Sequence, residues 1–249
     1  MLRSTVILSL VQGMAEWLPI SSSGHLVIFR HFFGLEGNLS LDVFLHLSSL
    51  LVIIIFFRHQ LARIFQALRQ KRQEAPEFRV TLFVLAGSAM TAAVGLLLKQ
   101  WVDAFSTLPT IGIAYLVNAA LLFFSRQTGN REIDLSRALL IGLVQALAVL
   151  PGLSRSGSTI AVGLISGLSG PEAFRFSFLL AIPALAGAGL IEARNWSSSP
   201  PRVLLVGFSV CFLVSFFSIS LLQKLVVRNK LHWFAFYCLS LGLILLLKG

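Results

Sequence analysis

The polar residues with chemical capacity fall into two short strings, LPISSSGH at 18–25 and LPGLSRSG at 150–157. Gln12 and Glu16 precede the first string; a spacing of four puts them on one helical face, one turn apart. His25 closes that string, and Arg155 stands between Ser154 and Ser156 in the second. Together these types suit an oxyanion, phosphate in particular. Arginine offers a planar fork of donors that matches phosphate oxygens. Loops containing Gly24 and Gly157, at the openings of half-helices, present free backbone N–H groups and the positive end of the helix dipole. Ser21, Ser22, Ser23, Ser154 and Ser156 add hydroxyl donors or a nucleophile. His25 is suited to acid–base work near neutral pH, and Glu16 to orienting it, activating a hydroxyl or, with Gln12, holding a divalent cation such as Mg²⁺ or Ca²⁺. The structural alternative is a Glu16–Arg155 pair that only neutralises itself, with the loop serines as helix caps. His46 reads as a packing histidine, and His31, His59 and His232 carry no signal.

The elements that position these residues are apolar. Of 249 residues, 56% are hydrophobic and 12% charged, against roughly 25% charged in soluble domains; mean hydropathy is +0.86. A water-soluble enzyme and a disordered chain are both excluded. The net charge of +10 reads as basic cytoplasmic loops rather than a nucleic-acid surface. Cys211 and Cys238 lie inside apolar runs, so neither a disulfide framework nor a thiolate metal site is indicated. The N-terminus reads as mature sequence, since Gln12 and Glu16 interrupt any signal-like core.

Membrane crossing takes about 20 apolar residues, with roughly 17 as the lower limit. The expected spans are 41–57, 80–98, 109–125, 173–192, 203–222 and 232–247. Segments 1–34 and 138–168 are also apolar, but Pro, Gly and Ser interrupt each, so each reads as two half-helices around a re-entrant loop. Loops 58–79, 126–137 and 223–231 are rich in Arg and Lys, whereas 99–108 and 193–202 are poor. The rich loops are therefore expected in the cytoplasm and both termini outside. Glu16, His25, His46 and Arg155, with Asp42 and Arg175 beside them, lie in or next to apolar segments, where ionisable groups are costly and usually functional. The broken segments repeat at an offset of 133 residues: Leu10-Val11-Gln12 matches Leu143-Val144-Gln145, and Ser21 to His25 match Ser154 to Ser158. Three spans follow each, which gives halves of about 1–125 and 138–249 with inverted topology. The expectation is one all-α membrane domain, residues 1–249, with six spans and two re-entrant hairpins and a site near the midplane.

VQGMAEWLPISSSGHL at 11–26 resembles the first signature of the undecaprenyl-pyrophosphate phosphatase family, the bacitracin-resistance type, and ALAVLPGLSRSGSTIAVGL at 146–164 resembles the second. LDVFLHLSSLLVIIIFFR at 41–58 and FRFSFLLAIPALAGA at 174–188 look like further family segments. The resemblance implies an integral enzyme of the bacterial plasma membrane. Such an enzyme cleaves a C55 isoprenyl diphosphate to the monophosphate and inorganic phosphate at the outer face. It thereby recycles the lipid carrier for peptidoglycan synthesis and confers bacitracin resistance. It also implies roles for Gln12 and Glu16 in the E/Q-xxx-E motif, Ser22 as nucleophile, His25 and Arg155, together with dependence on a divalent cation. Gln12 supplies an amide oxygen where other members have a carboxylate. A Tyr-Arg pair expected near the C-terminus is Tyr237-Cys238 here. Membrane lipids and the polyprenyl diphosphate are the expected partners; a homodimer stays open. A transporter or flippase for a prenyl phosphate is the rival reading, because inverted repeats with broken helices also build transporters.

Overall fold

A computed structural model describes residues 2–34, 39–126, 129–192 and 200–248. Parts of the expected loops 126–137 and 193–202, Arg194 included, lie outside the described residues. The chain is helical: α1 (Leu2–Ala15), α2 (Ser22–Phe33), α3 (Leu39–Phe56), α4 (Arg58–Arg69), α5 (Pro76–Leu98), α6 (Leu108–Phe124), α7 (Leu135–Leu147), α8 (Arg155–Ile165), α9 (Gly170–Glu192), α10 (Pro201–Val227) and α11 (Trp233–Lys248). Among the described residues there is no strand, only an isolated bridge between Arg131 and Leu168.

Both interrupted segments break where Pro and Gly/Ser stand. α1 ends before Pro19 and α2 starts after Ser21, whose hydroxyl accepts from Gly24 N–H. α7 starts after Asp134, which accepts from Arg137 N–H, and α8 starts after Ser154, which accepts from Gly157 N–H. These caps satisfy donors that a helix start otherwise leaves orphaned.

Three helices among the described residues are long and apolar enough to cross a membrane, in α5, α9 and α10; α3 with α4 makes a fourth if that bent pair counts as one span. Exposed Leu190 and Phe217 are the kind of surface that lipid covers. The chain is an integral membrane protein. α6 and α11, expected as spans at 109–125 and 232–247, are apolar but only 17 and 16 residues long. The stretch expected as a loop at 58–79 begins instead as a helix, α4, turned 73° from α3. Its arginines suggested a loop, but Leu61, Ile64, Phe65 and Leu68 recur with helical spacing. Leu61 and Ile64 pack on the core while Phe65 stays exposed.

Helix pairing follows the internal repeat. α1 packs on α10 and α7 on α5; α3 packs on α10 and α9 on α5; α3 meets α9, and α6 meets α11. Exchanging the halves maps this set of pairs onto itself. Backbones touch where both helices lack a Cβ. A Cβ on Gly142 would stand 2.4 Å from the Gly87 carbonyl oxygen, and one on Gly242 would stand 2.9 Å from that of Gly112. Close approach through small residues is how membrane helices gain packing. Trp17, fully buried, stacks on Phe178 at 5.4 Å, and Phe178 lies 4.4 Å from Phe174, so the first loop is anchored to α9.

Candidate active site

The two loops meet each other through repeat-equivalent residues. A Cβ on Gly24 would stand 3.1 Å from the Gly152 Cα, and one on Gly157 would stand 2.8 Å from the Pro19 Cβ. Gly24 corresponds to Gly157, and Pro19 to Gly152, at the same offset of 133. The Ser21 hydroxyl also accepts from Gly152 N–H at 3.2 Å, and Ser156 donates to the Leu18 carbonyl at 3.4 Å. Ser21 pairs with Ser23, and Ser154 with Ser156, each at 3.3 Å. Ser21 and Ser154 therefore spend their hydroxyls on caps and loop contacts, as the structural alternative has it.

The remaining groups converge on Glu16, which is buried. Its Oε1 accepts from the Arg155 guanidinium at 2.5 Å, and its Oε2 from the Ser22 hydroxyl at 2.7 Å and the Gln12 amide at 3.0 Å. Ser22 and Arg155 are the first residues of α2 and α8 and are equivalent in the repeat, so the halves contribute one hydroxyl and one cation to a single carboxylate. The Arg155 guanidinium also lies 5.5 Å over the Trp17 ring. Among the described residues, three buried polar atoms here have no hydrogen-bond partner: Arg155 Nη1 and Trp17 Nε1, donors, and Gln12 Oε1, an acceptor. An orphaned buried polar group is costly, and each of these suits a ligand. Arg155 Nη1 and the two helix starts fit an anion.

His25 points elsewhere. Its Nδ1 lies 2.8 Å from the Ser21 carbonyl and 2.7 Å from the Tyr115 hydroxyl, and its Nε2 lies 2.6 Å from the Tyr237 hydroxyl. The structure thus brings Gln12, Glu16, Ser22 and Arg155 together, while His25 bonds to Ser21 and two tyrosines. Ser21, which links the groups, takes φ 64 and ψ 104, a backbone that costs a residue with a side chain about 1–3 kcal/mol.

The profile of the family described as "Bacitracin resistance protein BacA" matches residues 5–244. The chain belongs to this family. Curated relatives named "Undecaprenyl-diphosphatase" are similar along its length. That of Syntrophotalea carbinolica is 40% identical over 250 residues, covering 95% of each chain. That of Desulfosudis oleivorans is 39% identical, covering 95% of this chain and 94% of its own. That of Korarchaeum cryptofilum is 36% identical, covering 98% of each.

In this BacA family member, sequence reasoning missed Tyr115, and met Tyr237 only as the tyrosine of an expected Tyr-Arg pair, with no role given to it. Both are set in apolar helices, α6 and α11, with no polar neighbour in sequence to mark them. For Tyr115 the one available signal is rarity, since the chain has only two tyrosines. Asn118, one turn after Tyr115, was missed for the same reason; it donates to the Pro19 carbonyl at 3.0 Å. Among the described residues no three His, Cys, Asp or Glu side chains gather as a metal site. Gln12 turns its amide nitrogen to Glu16, whose oxygens are engaged by Arg155, Ser22 and Gln12, so the unpartnered Gln12 Oε1 is the oxygen here open to a hard cation. Such a cation takes one or two protein ligands and the rest from phosphate and water.

Proposed function

We propose that the chain hydrolyses undecaprenyl diphosphate to undecaprenyl phosphate and inorganic phosphate. The observation that carries the reading is the convergence of Ser22 and Arg155 on the two oxygens of Glu16, with Arg155 Nη1 left without an acceptor. A pure anion binder has no use for a carboxylate holding a hydroxyl beside the anion. Arg155 and the N–H groups opening α2 and α8 clamp the diphosphate and stabilise its developing charge. The Ser22 oxygen attacks the terminal phosphorus and gives its proton to Glu16, its partner at 2.7 Å. The bond to the bridging oxygen breaks and undecaprenyl phosphate leaves. Water then cleaves the Ser22–phosphate bond, releasing inorganic phosphate and restoring the hydroxyl. A divalent cation, Mg²⁺ or Ca²⁺, would be held by Gln12 with Glu16 beside it and would supply charge neutralisation of the diphosphate.

The same proposal places the protein in the bacterial plasma membrane, with six spans, two re-entrant hairpins, the site toward the outer side and the prenyl chain among the helices. Paired broken segments in halves of opposite orientation support it, as does the alternation of basic and poor loops. Purified protein supplied with C55 diphosphate and Mg²⁺ is expected to release phosphate, Ser22→Ala to lose at least a thousandfold, and excess chelator to abolish turnover. A folded wild-type protein that binds prenyl phosphate and releases none from the diphosphate is a transporter. Ser22→Ala within tenfold of wild type transfers the attack to water.

A further inference from the structure

Both tyrosines of the chain reach one histidine from opposite ends. Tyr115 comes from α6 in the first half and Tyr237 from α11 in the second, the two helices that pack on each other. The partners of His25 bear on which ring nitrogen carries the proton. The Ser21 carbonyl at 2.8 Å can only accept, so Nδ1 bears the hydrogen, and the Tyr115 oxygen at 2.7 Å shares it. In the neutral ring Nε2 is then an acceptor, and the Tyr237 hydroxyl donates to it at 2.6 Å. The rings of His25 and Tyr237 also stack, 7° from parallel, while Tyr115 meets His25 edge-on.

His25 therefore turns its basic nitrogen to Tyr237, and Ser22 gives its hydrogen bond to Glu16. What His25 does hold is Ser21. The Ser21 carbonyl accepts from His25 twice, from the backbone N–H at 3.2 Å and from Nδ1, and Tyr115 donates to it at 3.4 Å. Ser21 is the non-glycine residue at φ 64 immediately before Ser22. Its orientation sets the direction in which the Ser22 side chain leaves the backbone.

We propose that Tyr115, His25 and Tyr237 are positioning residues: the two phenols fix the ring as the Nδ1–H form, the ring holds the Ser21 carbonyl, and Ser21 in turn aims Ser22 at Glu16. This rests on the reading of Ser22 and Glu16 as the hydrolytic pair, and it removes His25 from proton transfer at Ser22.

Two amide replacements of His25 separate the roles. His25→Asn places an N–H where Nδ1 stands and keeps the donor to Ser21; His25→Gln places its amide toward Nε2 and Tyr237. H25N is expected to keep kcat within about tenfold of wild type. H25Q is expected to lose about a hundredfold in kcat with KM little changed, since the Ser21 carbonyl loses the shortest of its three donors and the hold on its orientation with it. Tyr237→Phe is expected to lower kcat about fivefold at unchanged KM. Melting midpoints in detergent check that each variant is folded. The ring's proton is read independently of activity by ¹⁵N NMR of histidine-labelled protein. The resonance lost in H25N is expected to be that of an Nδ1–H imidazole with Nε2 accepting. H25Q more active than H25N, both inactive while folded, both fully active, or an Nε2–H ring at neutral pH would each overturn the proposal. Wild-type protein without phosphate release would overturn the phosphatase reading instead, and the NMR result would still decide the clamp.

Discussion

Arg155 has a structural and a chemical duty at one guanidinium, and the two can be told apart. Its 2.5 Å contact with buried Glu16 balances a charge that, left alone, costs about 3–5 kcal/mol. Its unpartnered Nη1 is the arm available to a phosphate oxygen. Arg155→Ala is expected to lower both the melting midpoint and the rate, the latter about a hundred- to a thousandfold, as loss of one donor to a developing oxyanion does. Arg155→Lys keeps a cation beside Glu16 but cannot present a fork. It is expected to restore the midpoint while recovering only part of the rate. Melting curves and phosphate release on the same samples check this; a lysine variant with full activity would reduce Arg155 to a charge. Gln12, Glu16, Ser22 and Arg155 were all legible in sequence, because ionisable and amide side chains in apolar runs stand out. Tyr115 and the role of Tyr237 were not, because a phenol is at home in an apolar helix and its hydroxyl partner is decided by which helices pack together.

At the scale of elements, the half-helices are held by caps and by crossings without side chains. The α5–α7 crossing is close, with Gly142 against the Gly87 carbonyl and the Thr91 hydroxyl donating to the Gly142 carbonyl at 2.9 Å. Gly142→Ala puts a methyl 2.4 Å from that oxygen, which backbone cannot yield without parting the helices. A loss of about 1–3 kcal/mol, typical of overpacking, is expected as a lowered melting midpoint, with phosphate release retained below it. An unchanged midpoint would show that α7 can slide. Sequence placed the breaks in both interrupted segments correctly, since Pro19, Pro151 and the Gly/Ser runs remove backbone hydrogen bonds wherever they stand. It missed α4 because positive charge took precedence over a helical apolar spacing.

At the scale of the molecule, the contact pattern that survives exchange of the halves places both loop tips in one site. The orientation proposed for that site rests on basic loops facing the cytoplasm. Gln70, at the end of α4, and Asn130, ahead of α7, are both exposed. Single cysteines at these positions, in a background where Cys211 and Cys238 are alanine, are expected to resist an impermeant thiol reagent in intact cells and to react after permeabilisation. Labelling of both from outside would invert the orientation and move the site to the cytoplasmic side.

The sequence by itself determined that this is a helical membrane protein with two broken segments, where those segments break, and which charged and hydroxyl residues they carry. Each of these follows from composition and from local backbone chemistry, which a sequence displays directly. The tertiary structure decided the pairing. Glu16 takes Arg155 as well as Ser22, and His25 takes the two tyrosines as well as Ser21, because partners 90 to 212 positions apart meet only when α6 packs on α11 and the two loops dock through glycines that leave room for each other.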